Sequence, residues 1–294
     1  DAGYNNLIGE NSNNLDLRNQ RDVYNYIKTN KPDIIIDAAA KVGGILANDT
    51  YPYDFIMDNM LIQNNLIDSA HKLGIKNFIF LGSSCIYPKN ANQPLKEEYL
   101  LTDSLEPTNQ WFAIAKISGV KSIQALRRQY KRNYLTLMST NLYGPNDNFN
   151  LINSHVLPAM LMKFHSAVLN NHTDVNLWGS GKPMREFLYV DDLSYAILFA
   201  IENNLKDNIY NIGTGTEITI NNLAKTIQAV TAHKGNIFWD RSKPDGTLRK
   251  ILDISKIKKL GYYHRNSLND GLIKTYKWFL DNQKVLSEHH YEKC

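Results

Sequence analysis

The amino-acid sequence predicts an α/β fold with a doubly wound parallel sheet and a smaller C-terminal lobe. Two observations lead to this prediction. Short apolar runs rich in β-branched residues, typical of strands buried on both faces of a parallel sheet, alternate with segments of helical periodicity. This alternation indicates βαβ units with right-handed crossovers. The chain has 294 residues, enough for one large domain or two closely associated lobes.

The elements of the parallel sheet come first in the chain. Apolar runs predict buried strands at residues 34–40, 77–82 and 134–138. Between these runs, apolar residues recur at helical spacing over 53–72 and 108–130, which predicts two long helices. Parallel strands need crossover connections of this length, so the order of elements is consistent with a doubly wound sheet.

The regular alternation ends near residue 145. Loops rich in Asn and Gly then surround one helix near 158–169, and residues 208–213 predict a late strand that rejoins the sheet. We therefore divide the chain into a sheet domain at 1–150 and a second lobe at 151–294. Ligands of doubly wound folds bind at the carboxyl edge of the sheet, so we expect the second lobe to close over that edge.

Composition and charge exclude several classes of protein. Hydrophobic residues make up 43% and charged residues 21%, values that exclude a disordered tail, a fibre and a membrane bundle. The net charge of +4 is too small for a nucleic-acid-binding protein but suits an anionic small ligand. No apolar run reaches the roughly 18–20 residues that span a bilayer. The two cysteines favour a reducing cytoplasm, and no metal site is predicted.

Two motifs lie near the end of the second strand and the start of the second helix. The stretch Gly82 to Pro88 follows a buried strand directly and would present hydroxyl and thiol groups at the mouth of the sheet. A polar turn with a small packed cysteine is the competing interpretation. Phe112 and Lys116 are four residues apart and therefore share one face of a helix. On their own they indicate a core phenylalanine beside a surface lysine.

Two further motif regions lie in the second half of the chain. The stretch Trp178 to Asp192 contains two glycines that allow close backbone approach, and Arg185, whose planar guanidinium can grip a phosphate. An Arg185 paired with a local acid is the simpler alternative. The stretches Asn211 to Gly215 and Lys243 to Thr247 read as turns when taken separately. The order of these motifs along the chain is more informative than any one of them.

This order resembles that of the extended short-chain dehydrogenase/reductase family that acts on nucleotide sugars. The resemblance runs from about Leu15 to about Asn282, and it is strongest to the members that form GDP-L-fucose. It implies a Rossmann-like, NAD(P)-binding first domain and a substrate-binding second lobe. The resemblance rests on six stretches: Ala38–Ile45, Gly82–Pro88, Leu105–Asn109, Asn141–Pro145, Asn153–His155 and Trp178–Asp192.

The resemblance implies a two-part reaction on a GDP-activated sugar, GDP-4-keto-6-deoxy-D-mannose. A ketone at C4 acidifies the protons on C3 and C5, so epimerisation needs a base, an acid and a donor to the enolate oxygen. Cys85, His155 and Ser83 match the family's base, acid and donor, in that order. Reduction at C4 by NADPH would then complete the conversion to GDP-L-fucose.

The resemblance also assigns binding residues. Lys116 would hold the nicotinamide ribose hydroxyls of NADP(H), and Lys163 replaces an arginine of the family's substrate site. The other residues that match the cofactor site are Ala39, Ala40, Gly82, Ser84, Thr140, Asn141, Leu142 and His155. The residues that match the GDP-sugar site are Lys163, Trp178, Arg185 and Asp245. We also expect a homodimer through the helices near 53–72 and 108–130, and no nucleic-acid or membrane partner.

The sequence departs from the family pattern at two places. Phe112 stands where the family has a tyrosine that donates a proton to the C4 oxygen, so we expect reduction to be weak. The family begins with a strand, a Gly-x-x-Gly-x-x-Gly turn and a helix that hold the cofactor pyrophosphate. Nothing similar precedes Leu15, so we expect about two dozen residues to be missing. Residues 5–10 would then be the second strand. Residues 12–14 lack the basic residue that often meets the 2′-phosphate, which leaves the choice between NADP and NAD open.

Two other functions stay open on the sequence. A GDP-sugar-binding pseudoenzyme would keep the Trp178–Asp192 stretch and catalyse nothing. A different nucleotide-sugar epimerase or dehydratase would keep the enzyme class, although a simple 4-epimerase has no use for Cys85 together with His155.

Overall fold

The structure, a computed structural model, describes residues 3–151, 154–243 and 245–283. Asn153 of the Asn153–His155 stretch and Pro244 of the Lys243–Thr247 stretch lie outside the described residues. None of the described helices is long and apolar enough to pass through a lipid bilayer.

Helices and strands alternate along the first half of the chain, as predicted. The helices are α1 (Gln20–Asn30), α2 (Ile45–Thr50), α3 (Pro52–Lys72), α4 (Gln110–Tyr130), α5 (Val156–Leu169), α6 (Val190–Glu202), α7 (Ile220–Val230), α8 (Ser255–Lys258) and α9 (Leu268–Asp281). The strands are β1 (Ile34–Asp37), β2 (Asn77–Ser83), β3 (Asn133–Ser139), β4 (Asn141–Tyr143), β5 (Asp174–Trp178), β6 (Met184–Arg185), β7 (Phe187–Tyr189), β8 (Ile209–Ile212), β9 (Ile218–Thr219), β10 (Asn236–Asp240) and β11 (Arg249–Lys250). Short 3-10 helices cover Ser84–Ile86 and Glu97–Tyr99.

Four strands form the largest sheet, in the order β1-β2-β3-β8. β1 and β2 pair in parallel, with Ile34 opposite Asn77 and Asp37 opposite Phe80. Parallel neighbours require crossover connections, and α3 and α4 provide those that follow β1 and β2. The predicted fold class, α/β with a parallel central sheet, is therefore confirmed. The late strand predicted near 208–213 is β8, which lies beside β3.

The structure departs from the predicted strands at two places. The first strand ends at Asp37, so residues 38–40 belong to the loop that follows it. Residues 5–10 form no strand and are exposed throughout. A strand persists where a neighbour completes its backbone hydrogen bonds, and none of the described strands pairs with this segment. The expectation of a strand at 5–10 is not met in the described chain.

Tertiary contacts divide the chain into two units. The first comprises Asp1–Pro88, Leu100–Met138 and Asn203–Tyr210. The second comprises Lys89–Tyr99, Ser139–Glu202 and Asn211–Cys294. The two units therefore alternate along the chain instead of meeting at one boundary. The assignment of a cofactor to one part and a substrate to the other stays a prediction.

In the first unit, α3 and α4 pack against each other, and α4 packs on β2. Phe78 and Phe80 of β2 and Ile123 of α4 are fully buried. Gly119 permits this close approach, because a Cβ at that position would lie 2.6 Å from Cζ of Phe80. In α3, Gln63 donates from Nε2 to the Ser118 hydroxyl at 2.8 Å. The packing places the first turns of α4 against β2 and the 3-10 turn that follows it.

The second unit has a core of its own, formed by α5, α7 and α9 together with β5 and β7. Leu161, Phe164, Leu177, Leu223 and Leu272 are buried in it. β5 pairs in parallel with β10, β6 lies between β11 and β9, and β4 pairs with β7. The β5–β10 pairing ends with Trp178 opposite Asp240, so the loops that follow these two strands lie side by side.

Candidate functional site

The first candidate cluster lies where β2 ends. Ser83 is the last residue of the strand, and its hydroxyl accepts a hydrogen bond from the Cys85 backbone N–H at 3.4 Å. This bond caps the 3-10 turn Ser84–Ile86, in which Ser84 is buried and Cys85 is half-buried. Gly82 packs closely against Met138, because a Cβ at position 82 would displace the end of the Met138 side chain. Hydroxyl and thiol groups are thus held at the carboxyl end of a buried strand.

Lys116 lies on the buried face of α4 and is 4% exposed, so it is not the surface lysine that its spacing alone suggested. Its Nζ donates to the Leu81 carbonyl oxygen at 3.0 Å and lies 4.6 Å from the centre of the Phe80 ring. The Phe112 ring, one helical turn earlier, is 5.9 Å from the same nitrogen. Burial lowers the pKa of Lys116, and this effect is opposed by the charges of Asp37 and Cys85.

Asp37 is a charged residue of this edge that the sequence analysis missed. It is 1% exposed at the end of β1, and its Oδ1 accepts from the Ala39 backbone N–H at 3.2 Å. Burial raises its pKa to about 6, against the attraction of the Lys116 cation and the Ala39 hydrogen bond. Ala39 and Ala40 follow in the loop and are half-buried. The one signal in the sequence was an acidic residue at the end of an apolar run.

The second unit contains the segment predicted to lie beside the nicotinamide. Thr140 donates from its hydroxyl at 3.2 Å, and Asn141 from Nδ2 at 2.7 Å, to the same acceptor, the Glu186 carbonyl oxygen. Leu142 pairs with Leu188 in the β4–β7 ladder. These contacts fix the backbone of residues 140–142 against β7.

His155 is the N-cap residue of α5 and is exposed to solvent. Neighbouring protein groups partly desolvate the His155 ring, and this desolvation lowers the pKa of the imidazole. Repulsion from the Lys250 cation lowers the same pKa further. A lowered pKa makes the protonated imidazole a stronger acid and also leaves the neutral imidazole as the main form at pH 7.

Trp178 presents an exposed aromatic face at the end of β5, with 53% of the residue accessible. Two ammonium groups flank the ring: Lys163 Nζ at 5.3 Å and Lys243 Nζ at 5.5 Å from its centre. Lys163 is held in place by a hydrogen bond from Nζ to the Asn176 carbonyl oxygen at 2.8 Å. An exposed ring between two cations is suited to an anionic ligand that carries a flat base.

Asp245 is tied to the turn that follows Trp178. Its carboxylate accepts from the Ser180 backbone N–H at 2.6 Å and from the Ser180 hydroxyl at 2.7 Å, and these bonds lower its pKa. The turn needs Gly179, whose φ is +85° and whose missing Cβ would overlap the Asp245 carboxylate. Ser180 was not predicted as a site residue, because nothing in the sequence connects it to a residue 65 positions later.

Arg185 is half-buried, and burial lowers the pKa of its guanidinium while the Asp245 carboxylate opposes the shift. Its Nη1 donates to the Met184 carbonyl oxygen at 2.9 Å. The next residue, Glu186, is fully buried and accepts backbone hydrogen bonds from Thr214, Gly215 and Leu252 at 2.7–2.9 Å. Glu186 thus anchors the strand that carries Arg185 to the Asn211–Gly215 motif and to the loop after β11.

The predicted site residues therefore form two groups, one in each unit. Ser83, Ser84, Cys85, Phe112 and Lys116 cluster at the carboxyl end of β2 in the first unit. The second unit brings Lys163, Trp178 and Asp245 to the ends of β5 and β10, with Arg185 within electrostatic reach of Asp245.

Known proteins are similar to this chain over most of its length. The profile described as the NAD dependent epimerase/dehydratase family matches residues 3–213. GDP-L-fucose synthase 1 of Arabidopsis thaliana is 51% identical over 96% of this chain and 87% of that protein. GDP-L-fucose synthase of Escherichia coli K12 is 50% identical over 92% of this chain and 87% of that protein.

Solved structures are similar as well. The GDP-mannoheptose C4 reductase MlghC of Campylobacter jejuni, with NADP bound, is 35% identical and superposes with a TM-score of 0.87, covering 95% of this chain and 91% of that one. Identity at this level over nearly the whole chain goes beyond likeness of fold. The chain belongs to the NAD dependent epimerase/dehydratase family and, within it, lies among the relatives of GDP-L-fucose synthase.

Proposed function

We propose that the chain epimerises GDP-4-keto-6-deoxy-D-mannose at C3 and C5 and reduces it at C4 with NADPH to form GDP-L-fucose, and that Phe112 makes the reduction slow. The observation that carries the proposal is the group at the end of β2. There Ser83 and Cys85 occupy one turn, and the buried ammonium group of Lys116 donates to the carbonyl oxygen of Leu81, two residues before Ser83. The curated relatives at 50–51% identity support the substrate.

Epimerisation exchanges protons at the two carbons beside the ketone. Cys85 is proposed as the base that removes each proton, and Lys116 lies within electrostatic reach of its sulfur. Ser83 is proposed to donate a hydrogen bond to the C4 oxygen, which stabilises the enolate that forms. His155 is proposed as the acid that returns a proton to carbon, a role in which its imidazolium form donates and the neutral imidazole is reprotonated from solvent.

The residues at the sheet edge fit a nicotinamide cofactor. Lys116 has three N–H bonds and uses one of them on the Leu81 carbonyl oxygen, so two remain for ribose hydroxyls. The side chains of Ala39 and Ala40 are small and leave room for the cofactor. Thr140, Asn141 and Leu142 are proposed to line the nicotinamide. Gly82 and Ser84 are proposed to contact the cofactor from the end of β2. NADPH supplies a hydride to C4.

The second unit is proposed to bind the GDP-sugar. Trp178 offers a face for the base, Lys163 and Arg185 offer positive charge for the phosphates, and Asp245 offers an acceptor for a sugar hydroxyl. Of Lys163 and Arg185, Arg185 is the stronger phosphate-binding residue, because its planar guanidinium can form paired hydrogen bonds to a phosphate and an ammonium group cannot.

Phe112 limits the second half-reaction. The C4 oxygen gains a proton as hydride arrives at carbon, and a phenyl ring has none to donate. The loss of a general acid commonly slows a reaction by ~10²–10⁴. A second candidate function follows from the same residue: a GDP-sugar-binding protein without catalysis, in which the groups around Trp178 keep their role.

Mass spectrometry in heavy water separates these functions. The full chain is incubated with GDP-4-keto-6-deoxy-D-mannose in D₂O, with and without NADPH, beside a Cys85→Ser control. Deuterium uptake at C3 and C5 above the control supports epimerisation, and a hydride-derived mass gain with NADPH supports reduction. Calorimetric binding of the GDP-sugar with no exchange would favour the binding protein, and absence of both would reject the proposal.

We further propose that the chain acts in the cytoplasm as a homodimer through α3 and α4. Both helices carry exposed apolar residues, among them Leu61 and Trp111. Light scattering of Leu61→Glu and Trp111→Glu variants tests the interface, and a mass unchanged from the unmodified chain would contradict it.

A further inference from the structure

Asp37 is a buried acidic residue that no step of the proposed reaction uses. It is 1% exposed at the end of β1. One carboxylate oxygen accepts from the Ala39 N–H, and the other, Oδ2, is buried without a hydrogen-bond partner in the described structure. A buried carboxylate oxygen without a donor is costly unless a positive charge lies nearby. The position of that charge therefore decides what Asp37 does.

The strand register places Asp37 on the face of the sheet that Lys116 covers, without a direct hydrogen bond between the two side chains in the described structure. Asp37 pairs with Phe80 across the β1–β2 ladder, and neighbouring strands lie about 4.8 Å apart with paired side chains on the same face. Lys116 Nζ lies 4.6 Å from the centre of the Phe80 ring and donates to the carbonyl oxygen of Leu81, the next residue. The ammonium group thus occupies the face of the sheet toward which the Asp37 carboxylate points.

The phenylalanine at position 112 makes the Asp37 carboxylate important for Lys116. Phe112 lies one turn before Lys116 and has no oxygen to accept a hydrogen bond, although its ring is within 5.9 Å of Nζ. A lysine that is 4% exposed loses most of its hydration, so its neutral form is favoured unless an anion compensates. Cys85 is the second residue whose charge acts on Lys116, after Asp37.

We propose that Asp37 is a positioning residue that keeps Lys116 in its ammonium form at the carboxyl edge of the sheet. The consequence for the cofactor rests on the proposed function: an ammonium group donates to ribose hydroxyls through three N–H bonds, whereas a neutral amine donates less strongly and also accepts. Asp37 would then act on NADPH binding through Lys116 without touching the cofactor.

The charged groups around the pair are few. Lys116 on α4 faces Asp37 on β1 and Cys85 on the turn after β2. Asp37 also lines a cavity of about 270 Å³ within the first unit, whose other titratable groups are Glu10 and Tyr26. With a pKa of about 6, Asp37 is ionised at pH 7 and supplies the negative charge that Lys116 needs. Removal of this charge should therefore lower the pKa of Lys116.

The test is NMR of the full chain labelled with ¹³C at the lysine ε carbon. The Lys116 signal is assigned by its loss in Lys116→Met, and its chemical shift is followed with pH. Asp37→Asn keeps the acceptor for the Ala39 N–H and is expected to lower the pKa of Lys116 by about one pH unit or more. Asp37→Glu is expected to restore it, and Asp33→Asn, which removes an exposed carboxylate beside the other end of β1, is expected to leave it unchanged.

An unchanged Lys116 titration in Asp37→Asn would overturn the proposal. Circular dichroism verifies the fold of each variant, and Asp37→Leu, an apolar residue of similar size, replaces Asp37→Asn if that variant does not fold. The same shift is expected in Asp37→Leu.

NADPH fluorescence across the same pH range separates this inference from the proposed function. If Lys116 binds the ribose, the pH above which NADPH binding weakens moves down in Asp37→Asn by the same amount as the Lys116 titration. A moved titration with unmoved NADPH binding supports the Asp37–Lys116 pair and rejects the cofactor role of Lys116. An unmoved titration rejects the pair, whatever NADPH does.

Discussion

Replacement of Phe112 by tyrosine is expected to restore the C4 reduction. The substitution adds one hydroxyl to a ring whose centre is 5.9 Å from Lys116 Nζ. If the new oxygen lies about 6 Å from Nζ, then at an effective dielectric constant of 20 a phenolate and an ammonium ion attract each other by about 3 kcal/mol, which lowers a phenol pKa by about 2 units. A phenol with a pKa of about 8 is a far better proton donor to the C4 oxygen than water is.

The expected gain in the reduction rate is ~10²–10⁴. The assay follows NADPH consumption with GDP-4-keto-6-deoxy-D-mannose and, in parallel, deuterium uptake at C3 and C5. Uptake should change little, because the ring does not take part in proton exchange at carbon. Phe112→Leu is the matched control, since it changes the side chain without adding a hydroxyl and should give no gain.

The reasoning would be refuted if Phe112→Tyr reduced the substrate no faster than the unmodified chain while deuterium uptake and NADPH binding were intact. Phe112 would then not be what limits the reduction. A gain of equal size in Phe112→Leu would likewise show that the hydroxyl is not the cause.

Three further predictions concern the stability of the fold and binding of the nucleotide. The pKa of Asp37 rises from 3.8 to about 6 on folding, so the folded state gains stability as the pH falls through that range. Asp37→Asn lacks this titration, and its free energy of unfolding relative to that of the unmodified chain should be about 2 kcal/mol larger at pH 7 than at pH 4, as measured by urea unfolding. Gly119→Ala places a Cβ 2.6 Å from Phe80 and should destabilise the fold by about 1–3 kcal/mol. Gly9→Ala is the control, because no atom lies within 4 Å of a Cβ at that position. Equal urea midpoints for the two variants would contradict the packing argument. Trp178→Ala should weaken GDP binding, measured by calorimetry, about tenfold or more. Phe238 is another exposed aromatic residue, on β10, and Phe238→Ala should leave GDP binding unchanged. Equal losses of affinity in the two variants would reject Trp178 as the residue on which the base stacks.

The parts of the fold that were predictable are those recorded in local patterns. The helix predicted at 53–72 is Pro52–Lys72, because its apolar positions recur at 3.6-residue spacing and its buried side chains follow that spacing. The strand at Asn77–Ser83 was predictable because a continuous apolar run has few alternatives in an α/β chain. The segment at 5–10 was not, since a strand depends on its neighbour as well as on its own residues.

The resemblance to a family proposed members of the candidate site, but it did not predict their contacts. Lys116 was assigned through that resemblance, and its spacing from Phe112 alone indicated a surface lysine; its burial against Phe80 depends on Gly119, which sets how closely α4 approaches β2. Asp245 was also assigned through the resemblance, whereas its partner Ser180 is 65 residues away and was not assigned a role.

The sequence alone determined the fold class, the order of the motifs and the family, because each of these follows from residue patterns along the chain and does not depend on which residues meet in space. The tertiary structure decided which charges meet. Asp37 and Lys116 belong to separate elements, and their pKa values follow from burial and from each other's charge. Desolvation and Coulomb attraction depend on distance in space, and no spacing along the chain specifies that distance.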